Sequence, residues 1–238
     1  MKQPRMGRGS GELRTVRLER GVAPHAEGSC LVHAGETRVL CTASVQASVP
    51  DWREGSGLGW VTAEYAMLPR ATHTRNRRER GSVGGRTQEI QRLIGRALRA
   101  SIDLAALGPR SITIDCDVLV ADGGTRTAAI TGAAVALHDA CRWIVEQGNL
   151  EQSPMAQLVA ATSVGIIDGE VLLDLDYRED VRAGVDMNIV ALEDGGLVEV
   201  QGTAERESFS PRQLDTLLRT GLDGISQLFR LQRDALQL

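Results

Sequence analysis

Between Ser111 and Val120 apolar and β-branched residues alternate with polar ones, and the chain then passes through Ala121-Asp122-Gly123-Gly124-Thr125-Arg126-Thr127 into an alanine-rich stretch with helical spacing over 125–147. A strand, a glycine turn and a helix start in that order make an anion site for physical reasons. Glycine lets backbone N–H groups approach a ligand closely, the helix dipole favours negative charge, Thr125 offers a hydroxyl and Arg126 a guanidinium. A glycine turn with a threonine cap also serves simply to reverse a chain. Here the device occurs twice, since Gly84-Gly85-Arg86-Thr87 opens a second helical stretch, so two glycine-plus-arginine helix starts could converge on one phosphate. Neither follows the G-x-x-x-x-G-K-[ST] or G-x-G-x-x-G pattern of nucleotide loops.

The remaining pattern is mixed. Alternation predicts strands at 28–33, 37–45, 59–65, 111–120, 159–167, 170–176, 185–192 and 196–202, and helical spacing predicts helices at 87–106, 125–147 and 211–236. The order predicts an α/β (α+β) chain of mixed sheets packed with helices, not a regular doubly wound one. A length of 238 residues fits one large domain or two small ones built together. A likeness between residues 39–45 and 158–164 hints at two related halves within one domain over 1–238, divided at about residue 150, without establishing a repeat. No apolar run reaches the roughly 18–20 residues of a membrane span, and no apolar stretch follows the polar start at 1–5; a cytoplasmic chain with no membrane partner is expected. Cys30, Cys41, Cys116 and Cys141 form no C-x-x-C pair and are expected reduced, inside strands and a helix.

The net charge of −4 hides an asymmetry. Residues 1–150 carry 20 basic and 15 acidic side chains, a balance of +5, whereas residues 151–238 carry 7 and 16, a balance of −9. Nine arginines fall between 70 and 99 against Glu79 and Glu89 alone. Arg70, Arg75, Arg77, Arg78 and Arg80 lie among Pro69, Asn76, Gly81 and Gly84-Gly85 with no helical period. They read as an exposed loop, an electrostatic footprint for a polyanion rather than the solvated helix face that most charge runs become. Seven aromatic residues are too few to grip a strand by stacking successive bases.

The acidic counterpart runs from Asp174 and Asp176 through Glu179 and Asp180 to Asp186. Carboxylates beside a phosphate site can hold Mg²⁺ or give a proton to a leaving oxygen. Asp174 and Asp176 alternate, as do Asp115 and Asp117, and each pair reads equally as a solvated strand face. Asp180 and Asp186, placed beyond the strand end, are the better candidates.

Taken together these blocks resemble the bacterial ribonuclease PH family of phosphate-dependent 3′ exoribonucleases, over nearly the whole chain. The likeness is carried by His25-Ala26-Glu27-Gly28-Ser29, by Ala63-Glu64-Tyr65 through Arg70, by Gly85-Arg86-Thr87 through Ile94, by Asp115-Cys116-Asp117 through Thr131-Gly132-Ala133, and by Glu179-Asp180, Asp186-Met187-Asn188 and Gln201-Gly202-Thr203. It implies two related β-α halves similar to the second domain of ribosomal protein S5, and a homohexamer made of three dimers. It implies that Arg86, Gly124, Thr125 and Arg126 bind phosphate, that Asp180 and Asp186 serve catalysis and hold Mg²⁺, and that Arg70, Arg75 and Arg78 guide the tRNA acceptor end. The segment between Arg78 and Gly84 is shorter than in that family, which bears on RNA contact rather than on the chemistry.

The implied reaction is phosphorolysis of RNA, including tRNA precursors, at the 3′ end. Two rivals belong to other classes. A non-catalytic ring subunit that only threads RNA predicts missing phosphate or acidic residues, and all of them are present. A phosphotransferase using the Gly-Gly-Thr-Arg turn is disfavoured by the want of a phosphate-bridging lysine, since Lys2 is the only lysine.

Overall fold

The computed structural model describes residues 5, 7–79, 81–206 and 208–238. Arg80, and residues 1–4 on which the polar start rests, lie outside them. Along the chain the elements are β1 (Val16–Arg20), β2 (Gly28–Ala34), β3 (Thr37–Gln46), β4 (Trp60–Met67), α1 (Gly85–Ala100), α2 (Leu104–Leu107), β5 (Ser111–Val120) and α3 (Thr125–Glu146), followed by β6 (Val159–Ile167), β7 (Glu170–Leu173), α4 (Tyr177–Arg182), β8 (Val185–Leu192), β9 (Leu197–Ala204) and α5 (Pro211–Leu236). One sheet has the order β1-β2-β3-β5-β4 and the other β7-β6-β8-β9. All pairings are antiparallel except β4 with β5, which α1 and α2 join as a crossover. This is the mixed α/β architecture that the sequence predicts.

The alanine-rich helix explains how the sheets meet. Every residue of α3 from Thr127 to Leu137 is buried, which a helix achieves only when it is packed on several sides. On one side Gly132 sits so close to β2 and β3 that a β-carbon there would lie 2.2 Å from Val32. Elsewhere on the helix the Thr131 hydroxyl accepts from the Ala161 N–H of β6 at 3.3 Å. Strand β6 is buried along its whole length. Val159 and Ala161 join the core around α3, while Ala160, Val164 and Ile166 join Leu217, Ile225 and Leu228 of α5. Both faces of the strand are therefore covered, and it reads as a continuous apolar run.

Four departures from the sequence reading have local causes. The helix predicted over 87–106 breaks at Ser101, whose hydroxyl donates to the Leu98 carbonyl at 2.8 Å, and Asp103 caps the next turn. The strand predicted over 170–176 stops at Leu173 because Asp174 takes a left-handed φ of 54°. Strand β1, of sequence VRLER, gives little sequence signal because it is short and three of its five residues are charged. Helix α4 is six residues long, too short to show a helical period. The four cysteines are free and buried, as expected.

Candidate active site

An open cleft of about 770 Å³ lies where the glycine turn, the start of α1, α4 and β8 meet. Its lining includes Arg86, Gly124, Thr125, Arg126, Asp180 and Asp186, so both glycine-plus-arginine starts and both acidic candidates converge. Gly123 and Gly124 take φ values of 77° and 62°, a region that side chains disfavour. Gly124 caps α3, and Arg126 follows in its first turn.

The turn is clamped from behind. Arg14 and Asp174 form a buried ion pair, with Arg14 Nη2 donating to Asp174 Oδ1 at 2.7 Å and Arg14 Nε to Oδ2 at 3.0 Å. Arg14 Nη1 also donates to the Asp122 carbonyl at 2.6 Å. Asp174 is thus no solvated strand residue, as its alternation with Asp176 had suggested; nor is Asp176, which closes a capping box with Glu179 at the start of α4. A buried pair of this kind is costly to break, because one charge is left without its partner.

Arg126 is held in place. Its Nη1 donates to Gln201 Oε1 at 3.0 Å, and Gln201 Nε2 donates to Glu89 Oε1 at 2.8 Å, which itself lies 3.6 Å from Arg126. Beside it, the Tyr65 hydroxyl donates to Thr125 Oγ1 at 2.8 Å. Burial pushes the Tyr65 phenol up, against the opposing Thr125 hydrogen bond and the charges of Arg86 and Arg126. Tyr65 and Gln201 both fall in the resembling blocks, but their partners are 60 and 112 residues away, beyond the reach of spacing.

The acidic wall follows the end of β7, as expected: Asp180 sits on α4, a helix that the sequence did not predict, and Asp186 is the second residue of β8, the strand predicted over 185–192. Desolvation pushes Asp186 up to about 6, with Asp180 and Glu205 adding and Arg126 opposing. Desolvation likewise raises Asp180, opposed by Arg86 and Arg126. Arginines and carboxylates therefore face one another within electrostatic reach. The all-oxygen donors suit a hard divalent cation. Among the described residues no three His, Cys, Asp or Glu side chains come together as a metal site.

The arginine stretch is the exposed loop that the sequence predicts. Arg70, Arg75, Arg77 and Arg78 are exposed, with no ion pair among the described residues. They do not line the cleft, although Thr72, His73, Thr74 and Asn76 between them do. The loop runs along the cleft's rim. The cleft's third arginine is Arg206, a residue that no spacing argument singled out.

The α/β scaffold thus presents three arginines and three carboxylates, Asp180, Asp186 and Glu205, to one open space, an arrangement suited to phosphate chemistry. Residues 12–142 match the model of domain 1 of the 3′ exoribonuclease family and residues 157–224 that of domain 2, and the chain belongs to this family. It is 60% identical over 235 residues to ribonuclease PH of Nocardia farcinica, a match covering 98% of this chain and 91% of that one. Ribonuclease PH of Mycolicibacterium smegmatis is 60% identical over 233 residues, covering 97% and 90%. Among solved structures, the Archaeoglobus fulgidus exosome with RNA bound to the active site superposes with a TM-score of 0.80 at 23% identity, covering 95% of this chain and 91% of that one. Rice Rrp46 does so with a TM-score of 0.79 at 20% identity, covering 98% and 100%. These two likenesses speak to the fold alone. No helix among the described residues is long and apolar enough to cross a membrane.

Proposed function

We infer that this chain removes nucleotides from the 3′ end of RNA by phosphorolysis, releasing nucleoside diphosphates. The observation that carries the reading is the convergence of Arg86, Arg126 and the Gly124-Thr125 helix start on the same cleft as Asp180 and Asp186. Attack by inorganic phosphate on a phosphodiester brings two anions together, so neutralising charge is the main catalytic task. Arg86, Arg126, the Thr125 hydroxyl and the N–H groups opening α3 hold the phosphate. The network through Gln201 and Glu89 keeps the Arg126 guanidinium oriented before substrate arrives, which spares reorganisation during the reaction. The 3′ oxygen of the shortened RNA leaves with a proton. Asp180 or Asp186, each raised by desolvation, is its donor, and the carboxylate left ionised would hold Mg²⁺, which supplies further neutralisation of phosphate charge when bound.

Arg70, Arg75 and Arg78 on the rim guide the RNA backbone toward the cleft, and tRNA precursor ends are the natural substrates in this reading. The same reading places the chain in the cytoplasm as a homohexamer, a trimer of dimers; sedimentation giving a monomer would count against that assembly. One assay tests the activity: a 3′-tailed RNA is incubated with Mg²⁺, with and without inorganic phosphate, and the products are identified. Nucleoside diphosphates forming only with phosphate support the reading. Nucleoside monophosphates mean hydrolysis, and no product favours a subunit that merely threads RNA.

A further inference from the structure

Helix α4 is six residues long, and a helix of that length has no stability of its own in water. Its orientation must come from contacts elsewhere. Successive helical residues turn by about 100°, which puts Tyr177, Asp180 and Val181 on one face and Glu179 on the opposite one. The first three line the cleft, whereas Glu179 is the helix's only buried residue. The usual amphipathic order is inverted: Tyr177 and Val181 are 49% and 59% exposed, and the buried anchor is a carboxylate.

That carboxylate is gripped by two arginines from the other end of the chain. Arg5 Nε donates to Glu179 Oε1 at 2.6 Å, and Arg8 Nη2 donates to Oε2 at 3.2 Å. Each guanidinium also donates to the backbone leading into the helix, Arg5 Nη2 to the Leu173 carbonyl at 2.5 Å and Arg8 Nη1 to the Asp174 carbonyl at 3.1 Å. The Asp176 N–H donates to Glu179 Oε2 at 3.0 Å, closing the cap. Both arginine side chains are largely buried, at 10% and 14% exposure, so they are spent on this contact rather than offered to a ligand.

We propose that Glu179, held from behind by Arg5 and Arg8, is a positioning residue that fixes Asp180 in the cleft. Without the grip, burying Tyr177 and Val181 becomes the favourable arrangement, and rolling the helix to do so carries Asp180 out of the site. The proposal rests on the catalytic reading of the cleft given above.

Two variants test it, the double substitution Arg5→Met/Arg8→Met and the near-isosteric Glu179→Gln, which keeps an acceptor for the Asp176 N–H. Each is compared with the wild type for kcat, phosphate KM, RNA affinity and amide hydrogen exchange. We expect kcat to fall by about tenfold or more, since misplacing a reacting group by an ångström costs up to about 10²-fold. Phosphate KM and RNA affinity should stay within about threefold, and amides of 177–182 should exchange about tenfold faster while those of α3 do not change. Wild-type kcat in both variants overturns the proposal. So does a loss confined to RNA affinity, or a fall in kcat with unchanged exchange across α4. If the wild type itself forms no nucleoside diphosphate, the reading of the cleft fails, and the exchange contrast still decides whether the arginines hold the helix.

Discussion

Replacing Arg126 with alanine separates chemistry from stability, because a stability loss that leaves the chain folded does not lower the rate, whereas loss of the guanidinium from the cleft does. Its ion-pair partner Glu89 is 48% exposed and 3.6 Å away, a contact worth about 0–1 kcal/mol. The hydrogen bond from the charged guanidinium to Gln201 adds about 1.5–3 kcal/mol. A loss of this order leaves a chain of 238 residues folded. In the proposed reaction the same guanidinium is a preoriented donor to developing charge, and removing one such donor costs about 10²–10³ in rate, or about 2.7–4 kcal/mol. Initial rates of nucleoside diphosphate release at varied phosphate should therefore fall by about two orders of magnitude or more, while filter binding gives an RNA affinity within about threefold of the wild type. Arg126→Lys should recover only part of the rate, since an ammonium cannot offer the two-pronged planar donor set. Wild-type rates in Arg126→Ala, or a defect wholly in RNA binding, would refute the phosphate assignment.

RNA affinity should fall with salt by about 0.7 log units per log unit for each phosphate contacted, whatever the base sequence, and Arg75→Ala and Arg78→Ala should each flatten that slope by about the same amount; a salt-insensitive affinity would remove the loop from the RNA path. A second prediction concerns acid stability. Burial would raise Asp139, but hydrogen bonds from His138 and Arg20 outweigh it and hold its carboxyl below the ordinary 3.8. A depressed carboxylate contributes stability that is complete above its unfolded value and is lost as pH falls through its folded one. The difference in urea midpoint between the wild type and Arg20→Met should thus be full above about pH 4 and close at lower pH; a difference that does not vary with pH would show that the pair contributes by packing alone.

What could be read from the sequence follows the range of the forces involved. Strands β2, β3, β5, β6 and β8 and helices α3 and α5 declare themselves through apolar period, because burial of one or two faces writes that period into neighbouring residues. The candidate phosphate wall is legible for a similar reason: glycine turn, hydroxyl and guanidinium are local and contiguous at 123–126. Helix α4 was not legible, since charge from Arg5 and Arg8 rather than an apolar face orients it. Asp174 is illegible on the same ground. Its alternation with Asp176 is a local signal, whereas its partner Arg14 lies 160 residues earlier. Tyr65 and Gln201 carried no signal beyond their place in resembling blocks.

The central claim is that inorganic phosphate is the attacking group, and isotope transfer tests it most directly. Unlabelled RNA is supplied with Mg²⁺ and ³²P-orthophosphate, and the released nucleotides are separated. Attack by the phosphate bound at Arg86 and Arg126 makes a new bond from its oxygen to the RNA phosphorus, so the label must emerge as the β-phosphate of nucleoside diphosphates. Label remaining in orthophosphate while unlabelled nucleoside monophosphates accumulate would contradict the account.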